Sequence, residues 1–434
     1  MSRGTNKCRD RLAAFAVAAS LASAHLALAQ RPSCRAGVTA SRDLGTADRR
    51  TIYIEPVSLV ADRGTIFLAG HPNYVFRGDS LLSRDGVMGA IWRSAGSARL
   101  VMSPLPRRQI GDVRLAPIAR HRWAAVFAEL GSDRPFPQNQ RVIDLWFAVF
   151  DGQSWTEPER LPRPPRGVIR SSAASSLVAT DGALSIAYPP DSVSPTLPQT
   201  SNVGVFSRRG GRWSLNVIPT FMAGAVSPVS VGRRDLRLAV VQPDTSQPSD
   251  GGSVFLYATD TAWRNLGKAI AGGESYTDNP VMRWSGGRLS LSWHARPSNG
   301  ASFGVARTTR LTLPFMRGSP AAMPTDDIVT FDTTSMRVTE LTKGEHQIWI
   351  SEHVSGNVGG APRREFRIYA DSSSTPALIA RVPNDFDGTE FAAQLTTGPD
   401  RLLIVGPSLK RKEVGGVLTT HIVELPLECV RGPE

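Results

Sequence analysis

The sequence predicts an all-β fold, a single ring of four-stranded sheets, and three observations carry that reading. A short alternating apolar segment returns seven times along the chain. Turn signals bearing glycine or aspartate precede most copies, and a tryptophan heads an apolar stretch downstream of several. No sustained helical period runs between residues 50 and 428, and the scattered prolines would each break an interior helical turn.

The repeated segments are residues 64–70, 122–128, 183–188, 236–241, 288–293, 346–351 and 401–405. Their starts lie roughly 50–60 residues apart, the spacing of one supersecondary unit per repeat. The signals before them are Asp62-Arg63-Gly64, Asp181-Gly182, Arg233-Arg234-Asp235, Ser285-Gly286-Gly287, Lys343-Gly344-Glu345 and Gly398-Pro399-Asp400. Each copy is therefore the second strand of a hairpin, with turn chemistry where the chain reverses. A third strand and a Trp-headed fourth follow at 145–155, 203–213 and 254–263. Units of four strands at this period build a β-propeller, whereas a sandwich needs about two such units. Seven blades are expected, with six as the alternative count.

The last unit, 391–427, offers three strands. The strand at 51–55 is expected to complete it, so that an N-terminal strand closes the ring without a free sheet edge. Cys34 and Cys429 stand at the two extremes of the chain after residue 30, and a Cys34–Cys429 disulfide is expected to pin that closure in an oxidising compartment.

The first 29 residues read as a Sec-type signal peptide. Arg3, Lys7, Arg9 and Arg11 form a basic start, 12–29 is uncharged and rich in Ala and Leu, and Ala27-Leu28-Ala29 is a small-x-small cleavage site. Residues 30–434 form one propeller domain, and no later segment is apolar enough to span a bilayer. The expected location is secreted or periplasmic. Of the formal charge of +12, the signal peptide carries +3, leaving +9 on the mature chain. The arginines are dispersed, which favours an anionic glycan or envelope polymer as partner and not nucleic acid, for which a concentrated stripe or reader motif is needed.

Phe150-Asp151-Gly152-Gln153-Ser154-Trp155, with looser copies ending at Trp213 and Trp263, resembles the degenerate Asp-box of sialidase-like propellers. The resemblance implies a hairpin shaped by Asp and Gly, with the Trp packed between strands. Sialidases also share an arginine triad opened by Arg-Ile-Pro, a Tyr–Glu nucleophile pair and an acid/base Asp. The corresponding stretch here, Arg50 to Pro56, lacks Arg-Ile-Pro, so no catalytic residue transfers.

The second strands end on one face of a propeller, where sites prefer to sit on loops held by a rigid scaffold. The residues there are His71, Glu129, Tyr188, Gln242, Trp293, His294, Arg296, Glu352 and His353. This polar ring with aromatic neighbours is suited to sugar or peptide recognition. Glu129 and Glu352 are the acid/base candidates if the protein cleaves glycosides. His71, His294 and His353 lack a local metal-binding spacing, so neither metal nor cofactor is expected. The reading is an exported propeller that binds a carbohydrate or envelope ligand at one mouth of its channel, with a glycan hydrolase of sialidase-like ancestry as the alternative.

Overall fold

The computed structural model describes residues between Cys34 and Cys429, apart from 48–50, 78–79, 131–140, 164–168, 171–174, 189–199, 244–251, 271–274, 298–303, 311–327, 356–362, 387–390, 397–400, 412–415 and shorter stretches. The expected signal peptide lies outside them. Every described element is a strand, and consecutive strands pair antiparallel in sheets of the order first–second–third–fourth.

Blade 1 is Thr51–Asp62, Thr65–Arg77, Val87–Arg93 and Arg99–Met102; blade 2 is Ile110–Ala119, Arg122–Leu130, Arg141–Phe150 and Glu159–Arg160. Blade 3 is Val178–Thr180, Ala183–Tyr188, Thr200–Arg209 and Arg212–Phe221; blade 4 is Ala225–Val231, Asp235–Gln242, Ser253–Thr259 and Trp263–Ile270. Ser275–Ser285, Arg288–Pro297 and Gly304–Arg310 open blade 5, and His346–Ser355, Arg363–Ala370 and Ala377–Pro383 belong to blade 6. The strand Val329–Lys343 serves both, pairing with blade 5 through Val329 to Ser335 and with blade 6 through Ser335 to Lys343. Blade 7 is Ala392–Thr396, Arg401–Arg411 and Gly416–Cys429. All seven sequence repeats are second strands, and the described strands form a β-propeller of about seven blades.

The strand expected to complete the last blade is a different one. Thr51–Asp62 is the first strand of blade 1, because its start pairs with the long second strand at Asn73 to Phe76. Blade 7 is instead extended by Cys34–Ala36 and Ala40–Asp43, both paired with Gly416–Cys429. That register sets Cys34 directly opposite Cys429. Asp43 accepts a 2.9 Å hydrogen bond or ion pair from His421 Nδ1, and Glu424 lies 3.6 Å from Arg42 and 2.9 Å from Arg401.

Alternation along each strand sends one set of side chains to the preceding blade and the other to the following one. The core is accordingly a series of apolar layers between blades. Phe67, Trp123 and Phe150 fill the layer between blades 1 and 2; Ala128, Phe147 and Tyr188 the next; Leu403, Val405 and Ile422 pack on Ile52, Ile54 and Leu68 of blade 1. Hydrogen bonds cross between blades at the repeat spacing. Leu115 N donates to Ser58 Oγ at 3.0 Å, Met282 N to Ser227 Oγ at 3.0 Å, and Trp349 Nε1 to Ser292 Oγ at 2.9 Å, over separations of 57, 55 and 57 residues. The sequence period is thus the step from one blade to the next.

The signals expected at 233–234, 286–287, 344–345 and 398–400 lie outside the described residues, and the turns at 63–64 and 210–211 are described. Arg63 and Gly64, with φ of 44° and 78°, and Gly210 and Gly211, with φ of 55° and 82°, occupy the left-handed region that two-residue hairpins of primed type demand. The Asp-box copy at 150–155 forms its cage: Asp151 Oδ1 accepts from Gln153 N at 2.8 Å and Ser154 N at 2.7 Å. Trp155 packs 4.9 Å from Phe150 and donates from Nε1 to Met102 O of blade 1 at 2.9 Å. Those two amide donors, Ser154 first, hold the Asp151 carboxyl below its usual range.

A buried carboxylate links blades 5 and 6. Glu340 is wholly buried and accepts from Ser290 Oγ at 2.9 Å, Gln347 Nε2 at 3.1 Å and Ser292 Oγ. Burial pushes its pKa up, more than these donors and Arg283 pull it down. A carboxyl whose folded pKa is raised binds its proton more tightly in the folded state. Its contribution to stability is therefore present at low pH and lost as pH rises from about 4, the unfolded value, through the folded one. Glu340→Gln is expected to flatten that fall, read as the urea midpoint measured from acid to neutral pH.

Candidate functional site

The faces of the propeller are defined by its hairpins. Turns joining first to second and third to fourth strands lie on one face, the turn face. Ends of the second strands lie on the other, the mouth face.

One charged cluster of the mouth face is built around Glu129, at the end of the second strand of blade 2; another, on blade 6, joins Arg367 to Asp332 and Glu365 and Arg364 to Glu352. Its register partner on the third strand is Asp144, beside a bulge between Val142 and Asp144. Directly opposed like charges repel, and a bulge re-aims the side chains next to it. Three arginines offset the two acids. Arg108 Nη1 donates to Glu129 Oε1 at 2.5 Å, and Trp146 Nε1 donates to Glu129 Oε2 at 2.7 Å. Arg160 Nε and Arg163 Nε reach Asp144 Oδ1 at 2.8 and 3.0 Å. Arg108 also lies over the Trp146 ring at 4.9 Å and Arg160 at 6.0 Å. Both carboxylates have 8% of their side chain exposed, whereas Arg108, Arg160 and Arg163 have 44%, 41% and 67%. The solvent side of the cluster is cationic.

The other residues expected at the mouth take these places. His71 lies within Thr65–Arg77, which runs on past the strand end expected near Gly70, and its side chain is outside the described residues. Tyr188 and Trp293 are buried in the layers between blades 2 and 3 and between blades 4 and 5, because alternation turns these positions toward a neighbouring blade. Gln242 is buried and hydrogen-bonded to Tyr257. His294 is buried with Nε2 2.7 Å from Ser335 O, and Arg296 is partly exposed.

On blade 6, Glu352 is buried, accepts from Asn384 Nδ2 at 3.0 Å and lies 3.9 Å from Arg364. Glu129 and Glu352 stand on non-adjacent blades and share none of these partners. His353 lies 2.8 Å from Arg367 Nη2 and 2.6 Å from Thr334 O. A guanidinium has only donors, so His353 Nε2 accepts and Nδ1 carries the proton. Among the described residues no group of three His, Cys, Asp or Glu side chains is placed to hold a metal.

Asp112 and Arg114 sit on the first strand of blade 2, on its side toward Tyr188. Burial, then the Asp112 charge, pushes the Tyr188 phenol well above its usual pKa. Neither Tyr188 Oη nor Asp112 Oδ1 has a hydrogen-bond partner among the described residues. Sequence reasoning also missed Arg108, Asp144, Trp146, Arg160 and Arg163. The pattern Asp144-x-Trp146 was visible, but its pairing with Glu129 depends on a hairpin register set across residues 131–140.

No family model matches the chain, and no curated protein matches its sequence. Among solved structures it is similar to a protein of unknown function from Dyadobacter fermentans at 12% identity and a TM-score of 0.49, covering 74% of this chain and 96% of that one. It is also similar to the GH93 α-L-arabinofuranosidase of Fusarium graminearum at 12% identity and 0.46, covering 72% and 92%. A third is the Trypanosoma rangeli sialidase at 11% identity and 0.44, covering 77% of this chain and 58% of that one. The propeller assignment rests on the sheet order and on the formed Asp-box cage.

Proposed function

We propose that the protein is an exported binding propeller that holds an anionic glycan or envelope polymer on the mouth face of blade 2. One observation carries the reading: three arginines converge on Glu129, Asp144 and Trp146 with their guanidinium groups outward and the carboxylates inward. Guanidinium forks match carboxylate and phosphate groups in two-point contacts. The +9 balance of the mature chain draws polyanions at a distance. Glu129 is already engaged by Arg108 and Trp146, which suits a structural anchor for the cations.

Calorimetric titration with an oligogalacturonate and with a neutral oligosaccharide of equal length tests this. The acidic ligand is expected to bind, with affinity falling as salt rises, and the neutral one not to bind. Arg108→Ala and Arg163→Ala are each expected to weaken binding about tenfold, about 1.4 kcal/mol. Equal binding of both sugars would sink the reading. Turnover of fluorogenic glycosides that collapses in Glu129→Gln or Glu352→Gln would put a hydrolase in its place.

The same reading includes removal of residues 1–29 on export and a Cys34–Cys429 disulfide. Antiparallel partners have Cα atoms about 4.5–5.5 Å apart, inside the range of about 4.4–6.8 Å that a disulfide spans. Intact mass of the exported protein, with and without reductant, reads both features.

A further inference from the structure

On the turn face, blades 2 and 3 leave a crevice of about 620 Å³ between them, within the roughly 300–1,000 Å³ of small-molecule sites. Phe147, Val149 and Leu184 line its apolar side, and Ile118, 38% exposed, belongs to the same lining. Arg122, Arg208, Glu157 and Glu159 supply its charges.

These charges differ in how far they are satisfied. Arg208 lies over the Phe147 ring at 4.8 Å and reaches Glu159 at 3.4 Å, a distance at the weak end for a hydrogen bond. Arg122 and Glu157 are exposed, and neither has an ion-pair partner among the described residues. The crevice thus joins an unpaired cation, an unpaired anion and an apolar lining, with no net charge. A simple anion placed there would gain Arg122 but meet two glutamates. A simple cation would meet two arginines, and an uncharged apolar molecule would desolvate all four groups without return. A molecule carrying both an ammonium and a carboxylate on an apolar body answers each group.

We propose that this crevice binds such a zwitterion, an apolar amino acid or a short apolar peptide. Arg122 takes the carboxylate, Glu157 takes the ammonium, and the body lies along Ile118, the exposed apolar residue of the lining. The site is separate from the arginine cluster of the mouth face and stands independently of the reading given for it.

The test is calorimetric titration of the full chain with L-phenylalanine and with the dipeptide Phe-Leu, each also in N-acetylated and C-amidated form. Saturable binding of a free zwitterion is expected, weakened tenfold or more by either block. Arg122→Gln is expected to weaken the free form and leave the amide unchanged, whereas Glu157→Gln weakens the free form and leaves the acetyl form unchanged. Both positions are exposed, and near-ultraviolet circular dichroism checks that the fold is kept. Tighter binding of phenylalanine assigns a free amino acid, and tighter binding of Phe-Leu assigns a peptide. Absence of saturable binding to any of these ligands overturns the proposal. So do blocked forms that bind as tightly as the free ones, or two variants that bind like the parent.

Discussion

Trp123→Ala is expected to lower stability by about 3–5 kcal/mol, the range for truncating a buried aromatic side chain. Trp123 opens the second strand of blade 2, is wholly buried, and meets Phe67 of blade 1 edge-on at 5.8 Å and Phe150 at 6.2 Å. Gly152 of the Asp-box turn stands close beneath it, since a Cβ added there would lie 3.8 Å from the indole. Removing the ring opens a void that two sheets border, and neither can collapse without breaking its own ladder. Trp123→Phe should cost much less, about 1–2 kcal/mol as a partial volume loss. Its indole nitrogen has no hydrogen-bond partner among the described residues, so phenylalanine gives up volume but no bond. Urea midpoints of the three proteins provide the comparison. A parent-like midpoint for Trp123→Ala would mean that blades 1 and 2 are not joined through this layer.

With the proposed Cys34–Cys429 bridge, Cys34→Ser is expected to cost about 6 kcal/mol in the chain-entropy account of a cross-link closing so long a loop. Cys34 is buried in the same layer as Phe366, Leu425 and Leu427, and the segment it begins reaches blade 7 through only two short strands. The midpoint of thermal unfolding should therefore fall sharply in the variant, and by the same amount when the parent is reduced. Reduction that leaves the midpoint in place would show that backbone pairing and the Asp43–His421 contact hold this edge without the bridge.

Much of the architecture could be read from residue order alone. The seven second strands follow from alternation and turn residues, which are local. The Asp-box hairpin also follows locally, because Asp151 bonds amides only two and three residues on. Pairing between distant segments was less legible. Thr51–Asp62 and Cys34–Ala36 lie close together in the sequence, and nothing in either states which sheet it joins. Val329–Lys343 reads as one strand, yet it serves two blades because the register shift between Ser335 and Arg337 turns it from one sheet into the next.

The site shows the same division. Glu129 was legible as the polar end of a strand, while Arg108, Asp144, Trp146, Arg160 and Arg163 come to it from three other segments. Trp293 and Tyr188 resembled recognition aromatics in sequence and are core residues in the fold. Alternation specifies which side of a strand a residue takes, but only the neighbouring blade decides whether that side meets water. The sequence by itself determined the second strands, the hairpin turns beside them and the spacing of the repeats, because alternation and turn residues act within a single hairpin. Tertiary structure decided the edge strands of blade 7, the arginine cluster and the crevice between blades 2 and 3, because each depends on segments brought together only when blades stack.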